Sequence, residues 1–235
     1  MNLAVIVTRT LPGARDTAEA LRSLGCTPIL SPMLRIVETG FDPGLAEGIA
    51  HIVFTSANGV HAVAAAKVPS DVHVWCVGPS TAEAARVGGY THVIEGDGNA
   101  DDLARLIVAS GIDGPLLHVA NEAAAGNLVA LLRAAGRDAR FCAPYRTEAE
   151  ESLSSEALTA LLGASPVILL LHSAKAAGAV AAGSPDLSRA ATVAISDAAL
   201  APLKGAAGRG EWVAARPNDT ALMLAVASAA ATLVG

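Results

Sequence analysis

The chain has 235 residues, room for one large or two small domains, and 52% of them are hydrophobic, which excludes a disordered protein. Only 16% are charged and the net charge is −6, with no basic stripe to neutralise phosphates, so a nucleic-acid surface is excluded. Three distant cysteines (Cys26, Cys76, Cys142) without a C-x-x-C pair and six scattered histidines without an H-E-x-x-H spacing argue for reduced thiols in a cytoplasmic protein and against a metal.

The elements alternate regularly. An apolar run predicts a strand over 3–8, too short and too soon followed by Arg9 for a signal peptide. A helix follows over 14–24, with Asp16 and Glu19 early and Gly25 behind it. A strand at 27–31 leads into an extended stretch, Pro32-Met33-Leu34-Arg35-Ile36-Val37-Glu38, and a turn at 40–44. Next come a strand at 51–55 and a helix at 58–66, with Thr55, Ser56 and Asn58 at the handover. Ser56 reads as an N-cap that leaves the amides of Asn58 and Gly59 unpartnered, a geometry suited to anions.

A strand at 72–77, a helix opened by Gly78-Pro79 and running to Val87, a strand at 91–94 and a helix at 100–110 continue the alternation. Strand 115–119, helix 125–135 and strand 138–143 precede a second extended stretch, Pro144-Tyr145-Arg146-Thr147-Glu148. Helix 153–162, strand 166–171, helix 174–182, strand 191–195, helix 197–204, strand 211–214 and helix 219–232 complete the pattern. The uncharged tail over 220–234 is shorter than the roughly 18 residues that span a bilayer and reads as a packed helix, so no membrane association is expected. Alternating strands and helices of this kind make a parallel-sheet α/β protein.

The pattern repeats internally. The strand-turn-helix around Ser56-Ala57-Asn58 returns around Ser173-Ala174-Lys175, and Gly78-Pro79-Ser80-Thr81 falls opposite Ser196-Asp197-Ala198-Ala199. Ala20-Leu21-Arg22 through Gly25 matches Leu131-Leu132-Arg133 through Gly136, a register that sets Arg35 opposite Arg146. The order is A-B-A′-B′, giving two similar domains of five strands each.

These residues resemble the uroporphyrinogen-III synthase family. The resemblance rests on Val7-Thr8-Arg9, Phe54-Thr55-Ser56-Ala57-Asn58-Gly59-Val60, Val77-Gly78-Pro79-Ser80-Thr81-Ala82-Glu83, Gly98-Asn99-Ala100 and Pro144-Tyr145-Arg146-Thr147, in that order across the whole chain. It implies two flavodoxin-like parallel-sheet domains joined by a two-stranded tether, with a cleft between them. One discontinuous lobe would hold residues 1–33 and 148–235, the other 39–142, with 33–38 and 143–148 as tether strands. It also implies a cytoplasmic monomer that uses no cofactor and takes hydroxymethylbilane as its substrate. Ser196-Asp197-Ala198-Ala199 departs from the family's Gly-Pro-Thr-Thr-like turn, and Lys175 stands where a small polar residue is common.

The implied reaction removes water from an octacarboxylate open-chain tetrapyrrole, inverts ring D and closes the macrocycle in tetrapyrrole (haem) biosynthesis. Catalysis of this kind is chiefly conformational, with one proton donor assisting the loss of water. Tyr145 is the candidate for that proton, with a packed tether residue as its plainer role. Ligands of parallel sheets bind beyond the carboxyl ends of the strands. Thr8, Arg9, Ser56, Asn58, Gly78, Ser80, Thr81, Ser173, Lys175 and Ser196 are therefore the candidate substrate-binding residues. His118 and His172 read as strand-end residues satisfied locally. The competing reading is a non-catalytic two-lobed binding or sensor protein for a carboxylated small molecule, favoured by the altered turn at Ser196.

Overall fold

The computed structural model describes residues 3–11, 13–66, 68–69, 71–124 and 127–234. Lys67 and the first two positions of the helix expected at 125–135 lie outside them. In chain order the strands are β1 (Ala4–Val7), β2 (Thr27–Leu30), β3 (Leu34–Glu38), β4 (His51–Phe54), β5 (His73–Cys76), β6 (His92–Glu95), β7 (Leu116–Asn121), β8 (Ala139–Ala149), β9 (Val167–Leu171), β10 (Ala190–Ala194) and β11 (Glu211–Val213). The helices are α1 (Gly13–Ser23), α2 (Ala57–Ala62), α3 (Pro79–Val87), α4 (Ala100–Ala109), α5 (Asn127–Ala134), α6 (Ser155–Leu162), α7 (Ala174–Ala182), α8 (Asp197–Leu200) and α9 (Asp219–Val234). The chain divides into two compact units, Met1–Arg35 with Glu148–Gly235, and Ile36–Thr147.

In the first unit five parallel strands run in the order β11-β10-β9-β1-β2. All five residues of β9 are buried, as a strand covered on both faces requires. Alternation sorts its side chains. Leu169 and Leu171 join Ile6 against α6, α7 and α8, while Ile168 and Leu170 join Val5 and Val7 against α1 and α9. Each such aliphatic side chain, fully buried, contributes about 1.5–3 kcal/mol.

The second unit repeats the plan with β8-β7-β4-β5-β6. Phe54 and Val119 pack towards α2 and α3, and Val53 and Leu116 towards α4 and α5. Its sheet has six strands rather than the five expected, because β3 adds to the β8 edge. The Thr39 amide donates to the Pro144 carbonyl and the Glu150 amide to the Met33 carbonyl, so the pairing runs antiparallel. The chain passes between the units on these two strands, at Arg35–Ile36 and Thr147–Glu148.

The helix ends of the repeat match in detail. Gly25 (φ 75°) and Gly136 (φ 79°) close α1 and α5, where the left-handed backbone favours glycine. Asn99 and Asn218 cap α4 and α9, each side-chain oxygen accepting a backbone amide three residues on.

Three expected elements differ in extent. The helix expected at 58–66 ends at Ala62, and the chain goes on in turns bonded to the third residue back, ahead of Val68-Pro69. The helix expected at 197–204 is α8 only, because Pro202 forces a tighter turn over Ala201–Leu203. The strand expected at 138–143 and the extended stretch behind it form one strand, β8. Its register against β7 slips, with Val119 opposite Cys142 but Asn121 opposite Tyr145. The extra residue in β8 is a bulge that admits Pro144, which has no amide to give. A bulge also flips side-chain parity, so Tyr145 faces the same buried side as Cys142.

Candidate functional site

In the second unit the carboxyl ends of β4, β7 and β8 bring Ser56, Asn121 and Tyr145 together. Ser56 leaves β4 in an extended conformation and caps α2, its Oγ accepting the Asn58 amide at 3.2 Å. The Gly59 amide donates to the Ser56 carbonyl at 3.0 Å. The two amides expected to stand free are therefore both satisfied by Ser56, because the cap serves the first turn itself.

The bulge delivers Tyr145 behind Ser56, where its ring is 2% exposed. Its hydroxyl hydrogen-bonds with the Ser56 side chain and the Asn121 backbone. Burial raises its pKa, and those two hydrogen bonds pull the other way. Tyr145 thus holds its proton throughout the neutral range. Ser56 is half-buried and forms the outer end of the pair. Asn121 also donates through Nδ2 to Thr147 Oγ1 at 3.1 Å.

His118 lies deeper on β7, with Nε2 3.1 Å from Thr55 Oγ1 and its ring edge-on to Phe141. Its Nδ1 is buried without a hydrogen-bond partner. Burial lowers its pKa to about 4, so the ring is neutral at neutral pH. On the next strand Gly78 caps α3 with no side-chain hydrogen bond, and a Cβ there would sit 3.4 Å from Gly98 Cα. Of the hydroxyls behind it, Ser80 is exposed and Thr81 buried.

The first unit presents a charged rim. Arg9 follows β1, and its guanidinium lies over Gly13, where a Cβ would come within 2.8 Å of Nε. Its Nη1 donates to Thr17 Oγ1 at 3.3 Å and to both oxygens of Asp219, at 3.3 and 3.4 Å. His172 follows β9 with its side chain 7% exposed and Nε2 3.9 Å from Asp219 Oδ1. Burial and the neighbouring Arg9 lower its pKa to about 3, against the opposing pull of Asp219.

Ser173 and Ser196 cap α7 and α8, accepting the Ala176 and Ala199 amides at 3.2 Å each. Lys175 is exposed in the first turn of α7. Thr8 is fully buried and donates to the Leu170 carbonyl at 2.7 Å, tying β1 to β9.

Sequence reasoning set Thr8, Arg9, Ser56, Asn58, Gly78, Ser80, Thr81, Ser173, Lys175 and Ser196 along one carboxyl rim, which the structure divides between the two units, and named Tyr145 on the extended stretch, which lies beside Ser56. It missed Asn121 and Asp219. Asn121 carries a signal only through the repeat, because the strand registers set Ala4 and Leu116 at equivalent positions and hence Arg9 with Asn121. The expectation that His172 is satisfied locally is corrected, since both its ring nitrogens are buried without a hydrogen-bond partner. The histidines are less scattered than their spacing suggests. His51, His73 and His92 sit side by side at the amino ends of β4, β5 and β6, with neighbouring rings 5.4 Å apart. Among the described residues no group of three or more His, Cys, Asp or Glu side chains has a geometry that holds a metal ion. None of the described helices is long and apolar enough to cross a membrane.

The family model for uroporphyrinogen-III synthase HemD matches residues 15–223. None of the curated proteins matches the chain. Among solved structures it is similar to the uroporphyrinogen-III synthetase of Helicobacter pylori, at 15% identity and a TM-score of 0.66, over 97% of this chain and 99% of that one. It is also similar to a mutant uroporphyrinogen III synthase of the extremely thermophilic bacterium Thermus thermophilus, at 17% identity and a TM-score of 0.52, over 99% of each chain. The likeness to both structures is one of fold.

Proposed function

Since the chain belongs to the uroporphyrinogen-III synthase family, we propose that it cyclises hydroxymethylbilane with inversion of ring D and loss of one water. The observation that carries this reading is the Ser56–Tyr145–Asn121 group at the carboxyl rim of the second sheet. Breaking the C–O bond on ring A needs a proton on the departing hydroxyl, while the pyrrole nitrogen lone pair fills the gap to give an azafulvene cation. Tyr145 keeps its proton at neutral pH but is closed off from solvent. Ser56 is the member of the pair that reaches the surface, so the proton passes from Tyr145 through Ser56 to the leaving oxygen. The ring D α-carbon that forms the closing C–C bond gives up its hydrogen as a proton when that ring regains aromaticity, which restores the phenol, while ring A keeps its N–H.

Holding the flexible chain with ring D turned is the larger task, and orientation of this kind can supply several kcal/mol (roughly 7–11 in the best cases). Arg9, Lys175 and the rim hydroxyls of Ser80, Ser173 and Ser196 are the groups proposed to receive substrate carboxylates. A net charge of −6 does not prevent this, because exposed charges beyond about 8 Å are largely screened at physiological salt. Cytoplasmic location is part of the same proposal, supported by Cys26, Cys76 and Cys142, all buried free thiols. Operation as a monomer without a cofactor is proposed from the family resemblance.

The test is incubation of the purified protein with freshly made hydroxymethylbilane, followed by oxidation and separation of the uroporphyrin isomers. A type III fraction well above the protein-free control is expected. A fraction equal to that control refutes the synthase reading and leaves a binding protein in its place.

A further inference from the structure

Arg9, Asp219 and His172 form a group whose members do not satisfy one another. The Arg9 guanidinium lies over Gly13, at the start of α1, where the helix dipole repels a cation. An anion must hold it there, and Asp219, at the start of α9, is that anion. Asp219 is itself poorly anchored. Its side chain is 56% exposed, and 3.3–3.4 Å is long for a charge-assisted bond. On its other side His172 offers a buried imidazole with neither nitrogen hydrogen-bonded, 3.9 Å from the same Asp219 oxygen that faces Arg9. A neutral imidazole carries one N–H, and with that proton on Nε2 it is a donor aimed at Asp219. Asp219 thus stands between two donors and fully engages neither.

We propose that this group is a carboxylate-exchange site, in which an incoming ligand carboxylate takes Arg9 from Asp219 and Asp219 closes on His172. Asp219 is then an internal competitor that keeps Arg9 positioned in the free protein. The exchange leaves neither charged group without a hydrogen-bond partner. Arg9 passes from one carboxylate to another, and Asp219 trades a long ion pair for a hydrogen bond from a buried ring. A shift of about 1 Å brings Oδ1 from 3.9 Å to normal hydrogen-bond distance. The proposal uses the synthase reading only for the class of ligand, a compound carrying several carboxylates.

Uroporphyrin III, an octacarboxylate, serves as the probe, with its Kd measured at low salt. Asp219→Asn removes the competing charge, keeps the residue's shape and should lower Kd about two- to five-fold, the size of an exposed ion pair. Asp219→Ser is the second variant should the amide disturb α9. Arg9→Gln should raise Kd, and in that background Asp219→Asn should have no effect. His172→Phe, which leaves released Asp219 without a donor, should raise Kd while Asp219→Asn/His172→Phe should not.

If Asp219→Asn and Asp219→Ser, shown folded by circular dichroism, leave Kd unchanged or raise it, the site is a structural ion pair and the proposal falls. It also falls if the gain survives loss of Arg9. The outcome is separable from the isomer assay. A protein that makes no type III product yet binds uroporphyrin more tightly as Asp219→Asn keeps the exchange site and loses the synthase reading.

Discussion

His118 should make the second unit lose stability in mild acid. The ring has an ordinary pKa of 6.5 in the unfolded chain and about 4 in the folded one, because burial on β7 disfavours its charged form. Above pH 6.5 neither state is protonated at this ring and its contribution is flat. Between pH 6.5 and 4 the unfolded chain takes up a proton that the folded chain refuses, so stability falls with falling pH. The gap of 2.5 in pKa is worth about 3 kcal/mol, at a limiting slope of about 1.4 kcal/mol per pH unit. Below pH 4 both states are protonated and the loss stops growing.

The assay is urea unfolding from pH 4 to 7.5 followed by tryptophan fluorescence. Trp75, on β5, belongs to the second unit and Trp212, on β11, to the first, so a Trp212→Phe background reports the second unit alone. His118→Gln keeps a hydrogen-bonding group near Thr55 and removes the titration. It should be less stable at pH 7 yet show a slope shallower by nearly one proton between pH 6.5 and 4. Carboxylates titrate equally in both proteins and cancel in the comparison. Identical pH slopes would mean that the folded protein accommodates the imidazolium, and the reasoning from burial would fail.

Three further substitutions test the packing and the chemistry. Gly59→Ala places a methyl 2.9 Å from the Val119 carbonyl oxygen and should destabilise by about 1–3 kcal/mol in thermal unfolding; Gly178→Ala, in α7 with nothing within 4 Å, should instead gain about 0.5–1 kcal/mol. Tyr145→Phe keeps the packed ring and removes the proton, so single-turnover conversion of hydroxymethylbilane should fall about 10²–10⁴-fold with the III:I ratio unchanged; full rate with an altered ratio would make Tyr145 a shaping residue.

The alternation of elements was legible because strands covered on both faces read as continuous apolar runs, as in Val167–Leu171, and caps such as Ser56, Ser173 and Asn99 announce helix starts. What was not legible depends on register. Nothing in Cys142-Ala143-Pro144-Tyr145 shows that β8 carries one residue more than β7 at that point, yet this sets the face on which Tyr145 lies. The stack of His51, His73 and His92 likewise follows from pairing three strands in register, which spacing along the chain does not reveal. The Arg9–Asp219 contact spans 210 positions and joins the ends of two elements, so neither residue's own surroundings point to the other.

The repeat explains why the two rims can differ so sharply in chemistry while sharing a plan. Sheet registers make Arg9 and Asn121 equivalent, at the carboxyl ends of β1 and β7, the strands that pair with β9 and β4. The neighbouring strand differs by one residue, β9 having five where β4 has four. That extra residue puts His172 where Ser56 stands in the other unit, and moves the capping role on to Ser173. In the second unit the chain leaving β4 therefore holds a hydroxyl, backed by a phenol and an amide, a neutral group suited to passing a proton. In the first the chain leaving β9 holds a buried imidazole beside an arginine and a carboxylate, a charged group suited to gripping an anion. A single inserted residue in β9 is what separates these two chemistries.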